Sequence, residues 1–99
     1  MKFVLTFSIK AGASHRDEAI SRFLKTGGIP PIGAKLVGRW TKVDFSGGFV
    51  LLESGDPQAL TQFALTWSDV IDLAIVPVSD DQELAQVLQK HTAKAAAGV

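Results

Sequence analysis

Cysteine is absent from this 99-residue chain, and so is any excess of charge of one sign. Without cysteine there are no disulfides, no thiolate nucleophile and no cysteine-ligated zinc or iron–sulfur site. Ten lysines and arginines balance ten aspartates and glutamates, whereas nucleic-acid binding draws on a basic excess that neutralises phosphate. We therefore expect no nucleic-acid partner.

Long apolar runs are missing as well. No stretch approaches the roughly 18 apolar residues that a membrane-spanning helix needs, and no basic cluster suggests attachment to a membrane surface. Residues 1–6 contain no apolar stretch as long as the core of a signal peptide, and we expect them to begin a strand. Together with the lack of cysteine, these features favour a cytoplasmic protein without a membrane partner.

The sequence also lacks motifs that would name a reaction. It has no nucleophile elbow, Walker phosphate loop, dinucleotide fingerprint or metalloprotease motif. Its two histidines, His15 and His91, have no carboxylate at the spacing of a metal site. We expect neither a metal nor a cofactor.

What the sequence does contain is a succession of strand and helix patterns. Phe3, Leu5, Phe7 and Ile9 recur with period two, which predicts a strand. The later elements follow in order: a helix capped by Ser14 and ended by Gly27-Gly28, a strand over 35–43, a hairpin turn at 44–47 with Gly47 at positive φ, a strand over 48–53, a helix with Asp56 as N-cap and Pro57 at its first position, a strand over 70–78, and a third helix capped by Ser79 or Asp80.

This order predicts an α+β, ferredoxin-like βαββαβ domain with a C-terminal helix. Short connections and right-handed crossovers give a four-stranded antiparallel sheet with two helices on one face. We assign residues 1–91 to this single domain. Residues 92–99 are mostly small and are expected to form a flexible C-terminal tail.

The second face of the predicted sheet is too apolar to remain in contact with water. An exposed face carries polar residues at alternate positions, but the last three strands contain bulky apolar residues of both parities: Leu36, Val37, Trp40, Phe49, Val50, Leu51, Leu52, Ile71, Leu73, Ile75 and Val76. Either the third helix or a second subunit covers this face. One short helix covers too little, so we predict a homodimer that pairs sheet against sheet.

Several segments together resemble a small bacterial family classed as a domain of unknown function. They are residues 1–6, Arg16-Asp17-Glu18-Ala19, residues 26–31, Gly38-Arg39-Trp40, Ser46-Gly47-Gly48-Phe49 and Trp67-Ser68-Asp69. The resemblance covers nearly the whole chain and implies a dimeric ferredoxin-like fold akin to the dimeric α+β barrel superfamily. That superfamily includes cofactor-free monooxygenases, haem-degrading enzymes, stress-responsive proteins and ligand domains of regulators. The resemblance transfers no catalytic residue, and a shared fold does not set function.

Six residues are candidates for ligand binding, and each also has a structural interpretation. His15 could be a general base or simply an exposed residue of a helix start. Trp40 and Trp67 could contact a ligand or belong to a core or interface. The other candidates are Arg39, Glu53 and Asp69.

We expect several polar residues to meet at one end of the sheet, on the premise that strands one and three end where strands two and four begin. They are His15, Arg16, Lys35, Ser54, Asp56 and Trp67-Ser68-Asp69.

Arg39 stands in the middle of a strand, where a charge is costly unless it is paired. With a three-residue hairpin loop it would lie opposite Glu53 and form a cross-strand ion pair. A two- or four-residue loop would shift the register and break that pair. Alternatively, Arg39 holds an anionic ligand or the partner subunit.

Three functions remain open from sequence alone. The first is a dimeric module that binds or senses a small apolar or anionic molecule. The second is a cofactor-free monooxygenase-like or isomerase-like enzyme acting on an apolar or aromatic compound. The third is a structural protein without a ligand. An enclosed apolar cavity with one perturbed polar group would favour the enzyme, a cavity without such a group would favour binding, and a filled core would favour the structural protein.

Overall fold

The computed structural model describes residues 1–96, which form four strands and three helices in the predicted order βαββαβα. The elements are β1 (Lys2–Ile9), α1 (Ala13–Thr26), β2 (Ala34–Thr41), β3 (Gly47–Ser54), α2 (Pro57–Trp67), β4 (Ile71–Val78) and α3 (Asp81–Ala96). The α+β, ferredoxin-like fold class is therefore confirmed. The last helix continues past the predicted domain boundary at residue 91, and residues 97–99 of the predicted tail lie outside the described residues.

The sheet is antiparallel, with strand order β2-β3-β1-β4. Leu5 of β1 pairs with Val50 of β3 and with Ile75 of β4, and Val50 pairs in turn with Arg39 of β2. These four side chains therefore share the face covered by helices. The neighbouring row, Trp40, Phe49, Thr6 and Ala74, lies on the opposite face, which we call the open face.

Two of the three helices begin with the N-cap residue predicted from the sequence. The Asp56 carboxylate accepts a hydrogen bond from Gln58 N at 3.0 Å, with Pro57 as the first residue of α2. Asp80 and Glu83 form a reciprocal capping box at α3. The prediction of Ser14 as a cap is wrong, because α1 begins at Ala13. Its N-cap is Gly12 at φ 102°, a conformation that favours glycine.

The packed core lies beneath α2. Leu5, Val50, Leu52, Leu60 and Phe63 form one buried cluster, and Leu52 has no exposed surface. The predicted alternation of β1 is confirmed here, because Phe3, Leu5 and Phe7 all pack in or against this cluster.

The open face has no cover within the described residues. Trp40 and Phe49 stack with ring centroids 5.4 Å apart, yet they are 52% and 47% exposed. The third helix does not lie over them, since every residue from 81 to 94 is exposed, including the apolar stripe Leu84, Val87 and Leu88. The molecule is accordingly elongated, at 61 × 29 × 18 Å.

Candidate functional site

A cavity of about 320 Å³ lies between α1, α2 and the covered face of the sheet. Its walls are almost entirely apolar, with Arg39, Thr41 and Gly28 as the exceptions. The lining residues are Leu5, Phe7, Ile9, Ala19, Ile20, Phe23, Leu24, Gly28, Arg39, Thr41, Phe45, Val50, Phe63, Trp67, Ile71 and Leu73.

The cavity exists because α1 leaves space above the sheet. Protein interiors normally pack at crystal density, with few voids larger than a water molecule. On the wall formed by α1, the buried residue is only an alanine, Ala19, whereas Phe23 and Leu24 remain 45% and 77% exposed. Large side chains thus surround the space without filling it, which is the form that small-molecule pockets take.

Arg39 enters the site from β2 and is fixed by the C-terminal end of α1. Its Nη1 and Nη2 donate hydrogen bonds to the carbonyl oxygens of Gly28 and Gly27, each at 2.8 Å. The guanidinium also lies over the Phe23 ring, 4.8 Å from its centroid. Burial lowers the pKa of Arg39 from its ordinary value, but a guanidinium remains protonated in proteins.

Glycine is required at position 28 for this arrangement. Gly28 has φ 61°, and a Cβ there would lie 2.6 Å from Nη1 of Arg39. Gly27, at φ 72°, ends α1 with its N–H bonded to the Phe23 carbonyl. The glycine pair predicted as a turn therefore also supplies both acceptors for Arg39.

The ion pair between Arg39 and Glu53, which was predicted for a three-residue hairpin loop, does not form. The hairpin places Trp40 opposite Phe49 and Arg39 opposite Val50, while Glu53 faces Lys35. Lys42 and Gly47 close a four-residue loop, so the register differs from that of the three-residue loop. A bulge at Val37 then adds one residue to β2.

The residue with positive φ in the hairpin turn also differs from the one predicted. Phe45, not Gly47, takes the left-handed conformation, at φ 61°, and its side chain lines the cavity. Gly47 is needed for another reason, because a Cβ there would collide with the Phe7 carbonyl oxygen.

Sequence reasoning missed Arg22, which joins α1 to the α2–β4 corner. Its two terminal nitrogens each lie 2.8 Å from a carboxylate oxygen of Asp69, and Nη1 also donates to the Thr66 carbonyl oxygen at 2.6 Å. Its guanidinium is 5.4 Å from the Trp67 ring centroid. The bond to Arg22 lowers the pKa of Asp69 to about 2. Two predicted site residues, Trp67 and Asp69, thus meet through a residue that local patterns do not reveal.

The predicted gathering of polar residues at one end of the sheet is only half right. The end of β1 lies beside the starts of β3 and β4, since Ser8 pairs with Gly47 and Ile9 with Ile71. Asp69, Trp67 and the start of α1 are at this end. Lys35, Ser54 and Asp56 are at the other end, because β3 is antiparallel to β1 and finishes where β1 begins.

The six candidate residues therefore separate into distinct places. Arg39 and Trp67 line the cavity, and Asp69 lies next to Trp67. His15 is not part of the lining, and its Nδ1 lies 2.7 Å from the Ala11 carbonyl oxygen. Glu53 borders an open depression at the far end of the sheet, and Trp40 is on the open face.

A protein-family model matches residues 1–92. The chain belongs to the DUF3303 family. Its description is "Domain of unknown function", and the matched region includes every residue that lines the cavity. No curated protein matches the sequence.

Two further properties of this DUF3303 domain concern the residues that the structure describes. Among them, no three histidines or carboxylates come together in a group that could hold a metal ion. None of their helices combines the length and the apolarity that crossing a bilayer requires.

Proposed function

We propose that this chain binds a small, largely apolar molecule in the cavity between its helices and its sheet. The observation that supports the proposal is the cavity of about 320 Å³ with nearly continuous apolar walls. Its volume is at the lower end of the range of about 300–1,000 Å³ for ligand pockets. A domain with only a structural role would gain stability by filling this space.

Arg39, whose pKa is lowered by burial, is one perturbed polar group of the kind that would favour an enzyme, but its chemistry fits binding better than catalysis. General acid–base catalysis needs a side chain that gains or loses a proton near the working pH. The cavity-lining residues include no histidine and no carboxylate, and their one charged group, Arg39, stays protonated. The lining therefore offers apolar contact and a fixed positive charge.

The same proposal assigns the open face to a second copy of the chain in a cytoplasmic homodimer. A stable interface takes about 800 Å² from each partner. Strands of eight residues at standard spacing give this sheet face roughly 500 Å². The exposed stripe of α3, Leu84, Val87 and Leu88, supplies additional apolar surface in the same chain. Because a two-fold interface uses the same patch on both subunits, one copy suffices to cover both surfaces.

A neutral apolar dye tests the cavity. N-phenylnaphthylamine, whose fluorescence rises in apolar surroundings, is titrated into the wild-type protein. We expect saturable binding of one dye per chain. Ala19→Phe places a ring in the cavity and should abolish the signal, whereas Ala13→Phe makes the same change at an exposed position of the same helix and should not.

Thermal melting of both variants establishes that they fold. If Ala19→Phe does not fold, Ala19→Leu replaces it, since leucine adds less volume at the same position. Wild-type protein that binds no dye, or folded Ala19 variants that bind as well as Ala13→Phe, would contradict the proposed site.

A further inference from the structure

We infer that the ligand of this cavity carries a carboxylate and that Arg39 is the residue that binds it. The inference rests on the proposed function and adds the chemical class of the ligand: an amphipathic acid with an apolar body inside the cavity and an anionic end at the guanidinium.

Arg39 differs from the other arginines of the chain in having no carboxylate. Arg16 pairs with Asp17 at 3.3 Å, and Arg22 pairs with Asp69 at 2.8 Å. Within residues 1–96, no carboxylate oxygen lies within 4.0 Å of the Arg39 guanidinium. A charge removed from water is costly unless it is paired, and Arg39 is sufficiently buried for its pKa to fall.

The Arg39 guanidinium retains hydrogen-bonding capacity. It has five N–H donors, of which one on Nη1 and one on Nη2 go to the carbonyl oxygens of Gly28 and Gly27. The other three, on Nε, Nη1 and Nη2, make no hydrogen bond within the described part of the chain. A planar guanidinium with free N–H groups matches the two oxygens of a carboxylate.

The arrangement also holds the guanidinium in place before a ligand arrives. Two carbonyl bonds and the Phe23 ring fix its plane beside the cavity, so that little side-chain entropy is lost on binding. A lone guanidinium with no lysine among the lining residues suits the single charge of a carboxylate better than the double charge of a phosphate monoester.

Matched pairs of acid and alcohol test the inference. Decanoate and decanol, and naphthoate and naphthylmethanol, are compared by displacement of N-phenylnaphthylamine from the wild-type protein. The alcohols fill the cavity without a charge, and the two pairs separate aliphatic from aromatic acids. We expect the acid of at least one pair to bind about tenfold more tightly than its alcohol.

Arg39→Gln should abolish that preference, so that each acid binds this variant no more tightly than its own alcohol, and thermal melting establishes that the variant folds. Arg16→Gln removes the same charge from an exposed pair outside the cavity and should keep the wild-type preference. Arg39→Lys should retain part of the preference, because lysine keeps the positive charge but lacks the paired N–H donors of a guanidinium.

The outcomes separate this inference from the proposed function. If the dye and the alcohols bind the wild-type protein and each acid binds no better than its alcohol, the cavity is real and the carboxylate assignment is wrong. If Arg39→Gln retains the preference, Arg39 serves only to cap α1 and the inference is likewise wrong. If neither dye nor alcohols bind at all, the proposed function itself fails.

Discussion

Both faces of the sheet carry large apolar side chains, but they differ in what covers them. On the covered face, Leu5, Val50 and Leu52 are buried beneath α2, and a cavity lies beside them below α1. On the open face, Trp40 and Phe49 remain about half exposed, with no element of residues 1–96 above them. Residues 1–96 thus provide too little side-chain volume to fill one face and no element that covers the other.

This difference shows that the alternation of apolar residues along a strand does not reveal what will cover its apolar face. Burial of apolar area is favourable whether the cover is a helix, a ligand or another chain. The shapes separate the cases: a concave space of ligand size suits a small molecule, whereas the broad face of a sheet suits a second protein surface. The following experiments probe the two faces in turn.

The largest effect is expected within the covered face, where the packed core and the cavity wall can be compared. Leu52→Ala removes a side chain with no exposed surface and should lower the free energy of unfolding by about 2–5 kcal/mol. Phe23→Ala, at a residue that is 45% exposed on the cavity wall, should cost less than half as much, although more atoms are removed. Urea unfolding of both variants measures the difference. Equal losses would mean that the cavity wall is as tightly packed as the core.

On the open face, Phe49→Asp places a charge in the middle of the proposed dimer interface. A desolvated, unpaired carboxylate is costly, and loss of a central aromatic residue weakens interfaces by about 2 kcal/mol or more, so the dimer dissociation constant should rise about thirtyfold or more. Sedimentation equilibrium measures it. Ile32→Asp makes the same kind of change at a fully exposed loop residue and should leave association intact. A Phe49→Asp protein that associates like the wild type would remove the open face from the interface.

The mouth of the cavity can be altered through the backbone. Gly28→Ala puts a side chain on a residue at φ 61° and against Nη1 of Arg39, so it should lower the free energy of unfolding by about 1–2 kcal/mol. Gly55→Ala is the matched control, because a Cβ there meets no atom within 4 Å, and its effect should be close to zero. Both are measured by thermal or urea unfolding. A Gly28→Ala protein as stable as Gly55→Ala would show that Arg39 does not depend on this position.

The smallest effect concerns the Arg22–Asp69 bridge, which joins α1 to the corner between α2 and β4. Because the folded protein lowers the pKa of Asp69 from 3.8 to about 2, the carboxylate contributes stability above pH 3.8, and this contribution is lost as the pH falls through about 2. The melting temperature of Asp69→Asn should therefore be slightly below that of the wild type near neutral pH. The two melting temperatures should become equal as the pH falls below about 2.

In Arg22→Gln, which removes the other partner, the difference in melting temperature from the wild type should shrink across that pH range without vanishing, because the wild-type Arg22 also donates to the Thr66 carbonyl oxygen at every pH. Asp69 is exposed, so the change in melting temperature should be small at any pH. A difference in melting temperature that stays constant with pH would contradict the role assigned to the ion pair.

The fold could be predicted from sequence because its signals are local. The alternation of β1, the Asp56-Pro57 helix start and the Asp80 cap each involve residues within one turn or one strand. The sequence-based prediction was wrong at the start of α1 and in the β2–β3 hairpin, where more than one residue or loop length satisfied the same local pattern. Gly12 replaced Ser14 at the helix start because the chain needed a positive φ there, and a four-residue loop with a bulge at Val37 changed the hairpin register.

The candidate site was predictable only in part because its parts are distant in sequence. Arg39 and Trp67 were identified, but Arg22 joins Asp69 across 47 positions, and no periodicity encodes such a contact. The misplacement of Ser54 and Asp56 arose from strand direction: β3 runs against β1, so its end lies where β1 starts. The cavity depends on the sum of side-chain volumes in three dimensions, which a linear pattern does not give.

We propose different occupants for the two faces of the sheet, a small molecule on one and a second copy of the chain on the other. Sedimentation equilibrium of the wild-type protein with N-phenylnaphthylamine, followed at both protein and dye absorbance, tests both assignments at once. We expect the dye to sediment with a particle of two chains at a ratio of one dye per chain. Dye that does not sediment with the protein would contradict the assignment of the cavity. Protein that sediments as a single folded chain at low micromolar concentration would contradict the assignment of the open face.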